Sequence, residues 1–165
     1  MWEALAAGWL QTLATDHCPF NSREKKRHAG SDFTKIPGGC GGIEYRLALL
    51  YTYGVRAGKI SLARFVDLVS TRPAKVFGLY PRKGTIRAGS DADLVIWDPE
   101  LSRTISAERQ WQRCDHTVYQ GLRLQGVPRL VFSRGAAVFE NDKVEADAGR
   151  GIYLVRDRGS HGRGG

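Results

Sequence analysis

The hydrophobic pattern of this chain changes near Tyr80, and that change limits the possible folds more than any other feature of the sequence. Up to that residue, apolar side chains recur three and four positions apart, which is the spacing of amphipathic helices. Beyond it, glycine and proline separate short apolar runs that have the length of β-strands. We therefore expect an α/β chain whose first part is mainly helical and whose second part is rich in strands.

Helical spacing of apolar side chains occurs four times before Tyr80. The patterns run through residues 2–9, 43–54, 61–69 and 71–78. Gly8 and Gly78 are suited to end the first and the last of these helices, because glycine readily adopts the left-handed conformation that follows many helices. Ser61 and Thr71 can accept a hydrogen bond from a free backbone N–H, so we expect them at the N-termini of the third and fourth helices.

A short apolar run follows the first helix and leads into a long polar stretch. Because Thr12–Thr15 is apolar and partly β-branched, we expect a buried strand that ends at Asp16 and His17. The polar stretch of residues 18–38 is longer than an ordinary connection, which indicates either a functional loop or disorder. Glycines then crowd residues 38–42, and this crowding indicates close backbone approach or positive φ.

Short strands are expected throughout the second part of the chain. The candidates are Thr85–Arg87, Leu94–Trp97, Val131-Phe132 and Ala137–Phe139. Asn141-Asp142 lies between two short runs that can pair, and two residues of this type are typical of the turn in a β-hairpin. This pattern predicts a small sheet, or the completion of a larger one.

Length and composition exclude several classes of protein. Of the 165 residues, 42% are hydrophobic and 25% are charged, which is typical of a folded globular chain rather than a disordered one. A complete (β/α)8 barrel takes roughly 250 residues, so the chain could hold only part of such a barrel. No apolar run reaches the roughly 18 residues of a membrane span. No signal peptide is recognisable, which makes the cytoplasm the expected location.

Cysteines and basic residues give no specific signal. Cys18, Cys40 and Cys114 are odd in number and widely spaced, so neither a disulfide framework nor a thiolate zinc site is expected. Part of the net charge of +8 lies in Arg23–Arg27 and in the tail from Arg156, which leaves a nucleic-acid-binding module as an alternative. Neither basic segment contains an aromatic residue or a base-reading motif, so we expect no nucleic-acid partner.

Asp16 is the strongest candidate for a chemical role. A carboxylate that follows a buried strand can bind a metal cation through one oxygen and accept a proton through the other. A turn-forming or helix-capping role is the alternative for an aspartate at such a place. His17 would point to the opposite side of the strand, so we expect it to form a structural hydrogen bond. The four histidines of the chain show no paired spacing that would predict a metal site.

Five segments together resemble the hydantoinase/dihydropyrimidinase family of cyclic amidohydrolases. They are Thr15–Phe20, Asp32–Gly39, Gly42–Arg46, Ser70–Gly84 and Gly89–Asp98, and the shorter segments Ser133–Gly135 and Glu140–Lys143 also fit. The resemblance implies an α/β fold in which residues 1–79 form the last helix–strand–helix part of a TIM-like amidohydrolase barrel. It also implies that residues 80–155 contribute strands to a small β-sandwich domain. Residues 156–165 are expected to be a disordered tail.

The resemblance also implies a reaction and its residues. Family members hold two metal ions, usually zinc, and hydrolyse the cyclic amide bond of hydantoins or dihydropyrimidines. Asp16 matches the aspartate that binds one metal and transfers the proton, and Gly38 lies in the segment whose backbone contacts the substrate. The family's other metal ligands precede the part that this chain resembles. We therefore expect the chain to correspond to a C-terminal portion that is inactive on its own.

Assembly and a second function follow from the same resemblance. Family members are commonly tetramers, so we expect a homo-oligomer, with residues 115–121 and the tail among its contacts. Some dihydropyrimidinase-like proteins keep the fold, lack the metal ligands and act through assembly. A non-catalytic remnant of that kind is the alternative to an enzyme.

Overall fold

The structure is a computed structural model that describes residues 1–23, 30 and 32–156. Most of the basic run Arg23–Arg27 and most of the predicted disordered tail lie outside the described residues. The chain divides into two compact units. The first unit comprises Met1–Leu13, Lys59–Asp98 and Pro128–Gly165, and the second comprises Ala14–Gly58 and Pro99–Val127.

Helices precede strands along the chain, as the change of pattern near Tyr80 predicts. The α-helices are α1 (Trp2–Ala7), α2 (Arg46–Leu50), α3 (Leu62–Val66) and α4 (Arg72–Val76), and the strands are β1 (Leu94–Thr104), β2 (Arg123–Ser133), β3 (Ala136–Glu140) and β4 (Lys143–Val144). A π-helical turn, Tyr51–Arg56, continues α2, and another, Asp67–Thr71, joins α3 to α4. Short 3-10 turns form at Phe33–Lys35 and Ala107–Arg109. No helix among these described residues is long and apolar enough to cross a lipid bilayer.

Arg64 joins the first two helices of the first unit. The helix α1 ends at Gly8, which has a left-handed φ of 85° as expected. Ser61 begins α3 by accepting a hydrogen bond from the backbone N–H of Arg64 at 3.1 Å, which confirms its predicted capping role. The Arg64 guanidinium donates to the carbonyl oxygens of Leu5 and Leu10 at 2.7 Å each. These bonds hold the C-terminal end of α1 and the residues that follow it against α3.

Thr71 does not begin a helix, contrary to the sequence-based prediction. The chain stays helical from α3 through the π turn into α4, and Thr71 has helical dihedral angles. Its hydroxyl instead donates to the carbonyl oxygen of Gly84 at 2.8 Å. Leu68, in the π turn, is completely buried, so packing of this turn favours continuous helix over a new N-terminus. Gly78, with a φ of 66°, lies just beyond α4 as predicted.

The strands form a four-stranded sheet in the order β1-β2-β3-β4, with antiparallel pairing of β2 with β3 and of β3 with β4. The predicted strands at Leu94–Trp97, Val131-Phe132 and Ala137–Phe139 are confirmed within β1, β2 and β3. Asn141 and Asp142 form the turn between β3 and β4 with φ values of 45° and 66°, which is the geometry that a two-residue hairpin requires.

Two predicted strands are wrong. Thr85–Arg87 forms no strand, because the backbone N–H of Ser90 bonds the carbonyl oxygen of Arg87 at 3.1 Å and closes a turn there. Thr12–Thr15 is neither a strand nor buried, and the Leu13 N–H in it donates to the carbonyl oxygen of Leu68 at 3.3 Å. A buried parallel strand needs a neighbour on each side. Within the described ranges no strand lies beside this segment.

The core of the second unit surrounds α2 and the first half of β2. Buried apolar side chains include Tyr45, Leu50, Ile105, Leu124 and Val127. Thr52, in the π turn after α2, ties this helix to β2. The single proton of its hydroxyl lies within hydrogen-bonding distance of the carbonyl oxygens of Ala48, at 2.7 Å, and Gln125, at 3.1 Å, and the hydroxyl oxygen accepts from the Gln125 N–H at 3.0 Å. One side chain therefore connects the end of the helix to the backbone of a strand residue.

Replacing Gly84 by alanine should destabilise the first unit more than the same change at Gly89. Both residues have positive φ, so alanine costs about 1 kcal/mol at either position. A methyl group at residue 84 would lie 2.5 Å from the Ala74 side chain and 3.1 Å from the Ser70 carbonyl oxygen, whereas none of the described residues lies within 4 Å of one at residue 89. Overpacking should add about 2 kcal/mol for Gly84→Ala. Denaturant unfolding measures the difference, and equal losses for the two variants would contradict close packing at Gly84.

Candidate active-site segment

Asp16 has an exposed side chain in the second unit. It directly precedes a parallel backbone bridge that pairs His17 with Cys40. From residues 1–23, 30 and 32–156, no hydrogen bond or ion pair reaches its carboxylate. As far as the described residues are concerned, both oxygens of Asp16 are therefore open to a ligand, while the backbone beside it is held.

His17 holds that backbone. Its Nδ1 accepts hydrogen bonds from the backbone N–H groups of Gly42 and Ile43 at 3.1 and 3.3 Å. An Nδ1 that accepts must be unprotonated, so the neutral ring carries its proton on Nε2. The predicted structural hydrogen bond of His17 is thereby confirmed. The Cys18 N–H also donates to the carbonyl oxygen of Cys40 at 3.1 Å, so two consecutive residues are fixed.

Two segments lie at the boundaries of the long polar stretch of residues 18–38. We call Asp16–Ser22 the first arm and Gly38–Glu44 the second arm. The arms meet closely at Gly39, whose φ is 91°. A methyl group there would lie 2.5 Å from the Cys18 Cβ. Gly38, the predicted substrate-contacting residue, is exposed, and no described atom lies within 4 Å of its virtual Cβ position. A ligand can therefore approach its backbone.

A third segment, Gln110–His116, contacts the first arm, and we call it the clamp. One oxygen of Asp115 accepts the Ser22 backbone N–H at 2.7 Å, and the other accepts the Ser22 hydroxyl at 2.6 Å. The Asp115 N–H donates to the Asn21 side-chain oxygen at 3.2 Å. The rings of Phe20 and His116 lie 5.2 Å apart. The Ser22 hydroxyl and then its N–H, with His116 adding less, lower the pKa of Asp115 from 3.8 to about 2.

The clamp also contacts the second arm. One carboxylate oxygen of Glu44 accepts the backbone N–H groups of Trp111 and Gln112, at 2.8 and 3.2 Å. The Gln112 side chain lies against Gly41 so closely that any side chain at residue 41 would overlap its amide oxygen. The sequence did not identify three residues that join the clamp to the arms: Glu44, Asp115 and Gln112. Their partners are far away in the chain, and only the glycine-rich pattern of residues 38–42 indicated close contact there.

The described residues offer few groups that could ligate a metal. No cluster of three or more His, Cys, Asp or Glu side chains occurs in the part of the chain that the structure describes. Cys18 is exposed, Cys40 and Cys114 are half-buried, and all three are free thiols. The arrangement thus supplies one open carboxylate, at Asp16, on a backbone that three segments hold in place.

Comparison with known proteins gives close matches over most of the chain. The amidohydrolase family model matches residues 1–138. The D-hydantoinase of Geobacillus stearothermophilus is 46% identical over 156 residues, which are 94% of this chain and 33% of the relative. The dihydropyrimidinase of Rattus norvegicus is 45% identical over 152 residues, 92% of this chain and 29% of the relative.

Solved structures agree with these sequence matches. A D-hydantoinase from a Bacillus sp. AR9 superimposes with a TM-score of 0.91 at 49% identity, and the match covers 94% of this chain and 34% of that one. A D-hydantoinase (dihydropyrimidinase) from Thermus sp. superimposes with a TM-score of 0.90 at 45% identity, and the match covers 94% and 34% of the two chains. The chain thus spans about a third of the length of these relatives.

Alanine at residue 39 should separate the two arms, whereas alanine at residue 38 should not. Gly39→Ala combines positive φ with a contact of 2.5 Å to the Cys18 side chain, so we expect a loss of about 3 kcal/mol in unfolding free energy. Gly38→Ala meets no described atom within 4 Å and should stay within about 0.5 kcal/mol of the unaltered chain. Denaturant unfolding of both variants tests this. A large loss for Gly38→Ala would contradict the open position of residue 38.

The Asp115 carboxylate should stabilise the second unit down to unusually low pH. Because its pKa is about 2 in the folded chain and 3.8 normally, its contribution is complete above pH 3.8 and is lost as pH falls to about 2. The measurement is the unfolding free energy of the unaltered chain minus that of Asp115→Asn, from about pH 2 to about pH 6. The other carboxyl groups are present in both proteins, so their contributions to the unfolding free energy cancel in this difference. A difference that does not shrink below pH 3.8 would contradict the ionised acceptor.

Proposed function

Because this chain belongs to the amidohydrolase family, we propose that it is part of a metal-dependent enzyme that hydrolyses the cyclic amide bond of hydantoins or dihydropyrimidines. The observation that carries the proposal is the match to D-hydantoinases over 94% of this chain, at a TM-score of 0.91. The open Asp16 carboxylate supports it, because it is the only ligand that the resemblance assigns to this part of the chain.

The described residues fit a metal centre as the source of one ligand. Asp16 is a carboxylate without a competing partner among them, which suits a hard or borderline cation such as zinc. A complete site needs further donors, and the described ranges contain no cluster that provides them. We propose that the other ligands belong to polypeptide matching the remaining two thirds of the relatives. A bound metal ion lowers the pKa of its water to about 7.

Asp16 and the second arm have separate roles in this proposal. Hydrolysis adds a water oxygen to the ring carbonyl carbon, breaks the ring C–N bond and leaves a proton to be placed on the nitrogen. Asp16 takes that proton from the attacking water and delivers it to the leaving nitrogen as a general base and then acid. The exposed backbone at Gly38 contacts the substrate ring. The bonds of His17 to Gly42 and Ile43 keep these two groups at a fixed separation.

The wider architecture and setting of the protein remain predictions within this proposal. Residues 1–79 would belong to the barrel, residues 80–155 to a β-sandwich domain and residues 156–165 to a tail. We propose a cytoplasmic homo-oligomer, a tetramer by resemblance, that takes a small cyclic amide as substrate and has no nucleic-acid or membrane partner.

A non-catalytic protein that acts through assembly is the second candidate. The dihydropyrimidinase-related protein 5 of Mus musculus is 44% identical to this chain, close to the 45% of the rat dihydropyrimidinase. Identity over this third therefore does not separate the two candidates. The coding DNA immediately upstream would separate them. An in-frame His-x-His pair and lysine region there favour the enzyme, and a stop codon or substituted ligands favour the second candidate.

A chimera tests the proposed reaction directly. Replacing the matching third of the Geobacillus stearothermophilus D-hydantoinase by this chain should give a protein that opens the hydantoin ring. Asp16→Asn should lower its kcat about a hundredfold or more, because the amide can neither take up nor deliver the proton. Glu3→Gln, an exposed carboxylate in α1, is the matched control and should leave kcat unchanged. Equal activity of Asp16→Asn and its control would overturn the role of Asp16.

The 165-residue chain alone should show no ring opening, with or without added zinc, since one carboxylate does not hold a metal centre. The measurements are product formation from hydantoin and dihydrouracil, and the zinc content after dialysis. Zinc-dependent turnover that Asp16→Asn abolishes would show that the chain is a complete enzyme.

A further inference from the structure

We infer that Asp115 is a positioning residue for the Asp16 segment, acting through Ser22, and that the clamp fixes both arms relative to each other. This inference rests on the proposed function for its catalytic meaning. Its structural part rests on the contacts of the second unit alone.

The contacts form a closed circuit of three segments. The first arm bonds the second through His17 Nδ1 and through the Cys18 N–H. The second arm bonds the clamp through Glu44. The clamp returns to the first arm through Asp115. In a closed circuit each segment is restrained from two sides, so the orientation of the first arm depends on contacts that lie outside it.

Asp115 is the residue of this circuit whose loss would release one arm. It alone gives Ser22 an acceptor for both its backbone N–H and its hydroxyl, at 2.7 and 2.6 Å. Bonds to an ionised acceptor are stronger than neutral ones and have a defined direction. Without them, the contacts that still join the first arm to the clamp include the Asn21 bond, which uses the Asp115 backbone, and the Phe20–His116 ring contact, neither of which is made to a charged acceptor.

The position of these bonds connects them to chemistry. Ser22 is six residues beyond Asp16, and His17 and Cys18 are fixed next to that carboxylate. The first arm is thus held at both ends, near Asp16 by the second arm and at Ser22 by the clamp. A carboxylate that must meet a ligand and a substrate within a fraction of an ångström needs such restraint.

Hydrogen exchange on the full 165-residue chain at neutral pH tests the structural part. Asp115→Ala should speed exchange of the backbone N–H groups at residues 20–23 about tenfold or more, because the Ser22 N–H loses its charged acceptor and the segment around it loses that support. Exchange in α3 and β3 should not change. Asp115→Asn keeps one acceptor oxygen, so its exchange rate at these residues should lie between those of Asp115→Ala and the unaltered chain. Glu108→Gln is the matched control, because Glu108 is an exposed carboxylate in the 3-10 turn that precedes the clamp, and its hydrogen bonds within the described part of the chain join it to Ser106.

Two results would overturn the inference. The first is unchanged exchange at residues 20–23 in a folded Asp115→Ala chain. The second is faster exchange of equal size in α3, which would mean general destabilisation. If Asp115→Ala does not fold, Ser22→Ala replaces it, since this change removes the hydroxyl bond and keeps the backbone bond. It should then speed exchange by a smaller factor at the same residues, and no change there would equally overturn the inference.

The chimera supplies the catalytic readout. Asp115→Ala should lower kcat about tenfold with KM changed less than twofold and with unchanged zinc content, and Asp115→Asn should recover part of the loss. Normal kcat in Asp115→Ala would contradict a positioning role even if the exchange result holds. An inactive chimera with the expected exchange pattern would count against the proposed function alone, so the two failures are distinguishable.

Discussion

The pair of hydrogen bonds between Asp115 and Ser22 is the constraint on which the candidate site depends. An aspartate in the clamp gives an ionised acceptor to both donors of one serine, and that serine terminates the arm that begins with Asp16. Glu44 repeats the arrangement at the second arm with the roles reversed, since there the arm provides the carboxylate and the clamp provides two backbone N–H groups. Loops that carry functional groups need such outside support, because their own backbone bonds are few.

Local signals in the sequence predicted the local structure well. Asn141-Asp142 forms a hairpin turn because these two residues tolerate positive φ themselves, and Ser61 begins a helix because its own hydroxyl accepts the bond. Thr12–Thr15 was misjudged because a buried strand depends on neighbours that a short apolar run does not identify. Thr71 was misjudged for a related reason, since its hydroxyl found Gly84, thirteen residues away, instead of a helix N-terminus.

The candidate site shows the same difference between features that depend on neighbouring residues and features that depend on distant ones. Asp16 and His17 could be singled out because one follows an apolar run and the other is next to it, and the hydrogen bonds of His17 confirm its structural role. The clamp could not be found in this way. Asp115 lies 93 residues from Ser22, and Trp111 lies 67 residues from Glu44, so no spacing rule connects them. The family resemblance identified the segment around Asp16, whereas only the structure shows which contacts hold that segment in place.

The contact between Gly41 and Gln112 has an evolutionary consequence. The amide group of Gln112 occupies the space that a side chain at residue 41 would need. A larger residue at 41 requires either that the Gln112 amide rotates away, which breaks its bond to the Gln110 side-chain oxygen, or that residue 112 becomes shorter. A shorter residue at 112 would leave a void beside glycine. Natural sequences should therefore change these two positions as a pair, and such covariation would be visible even though the residues are far apart in the chain.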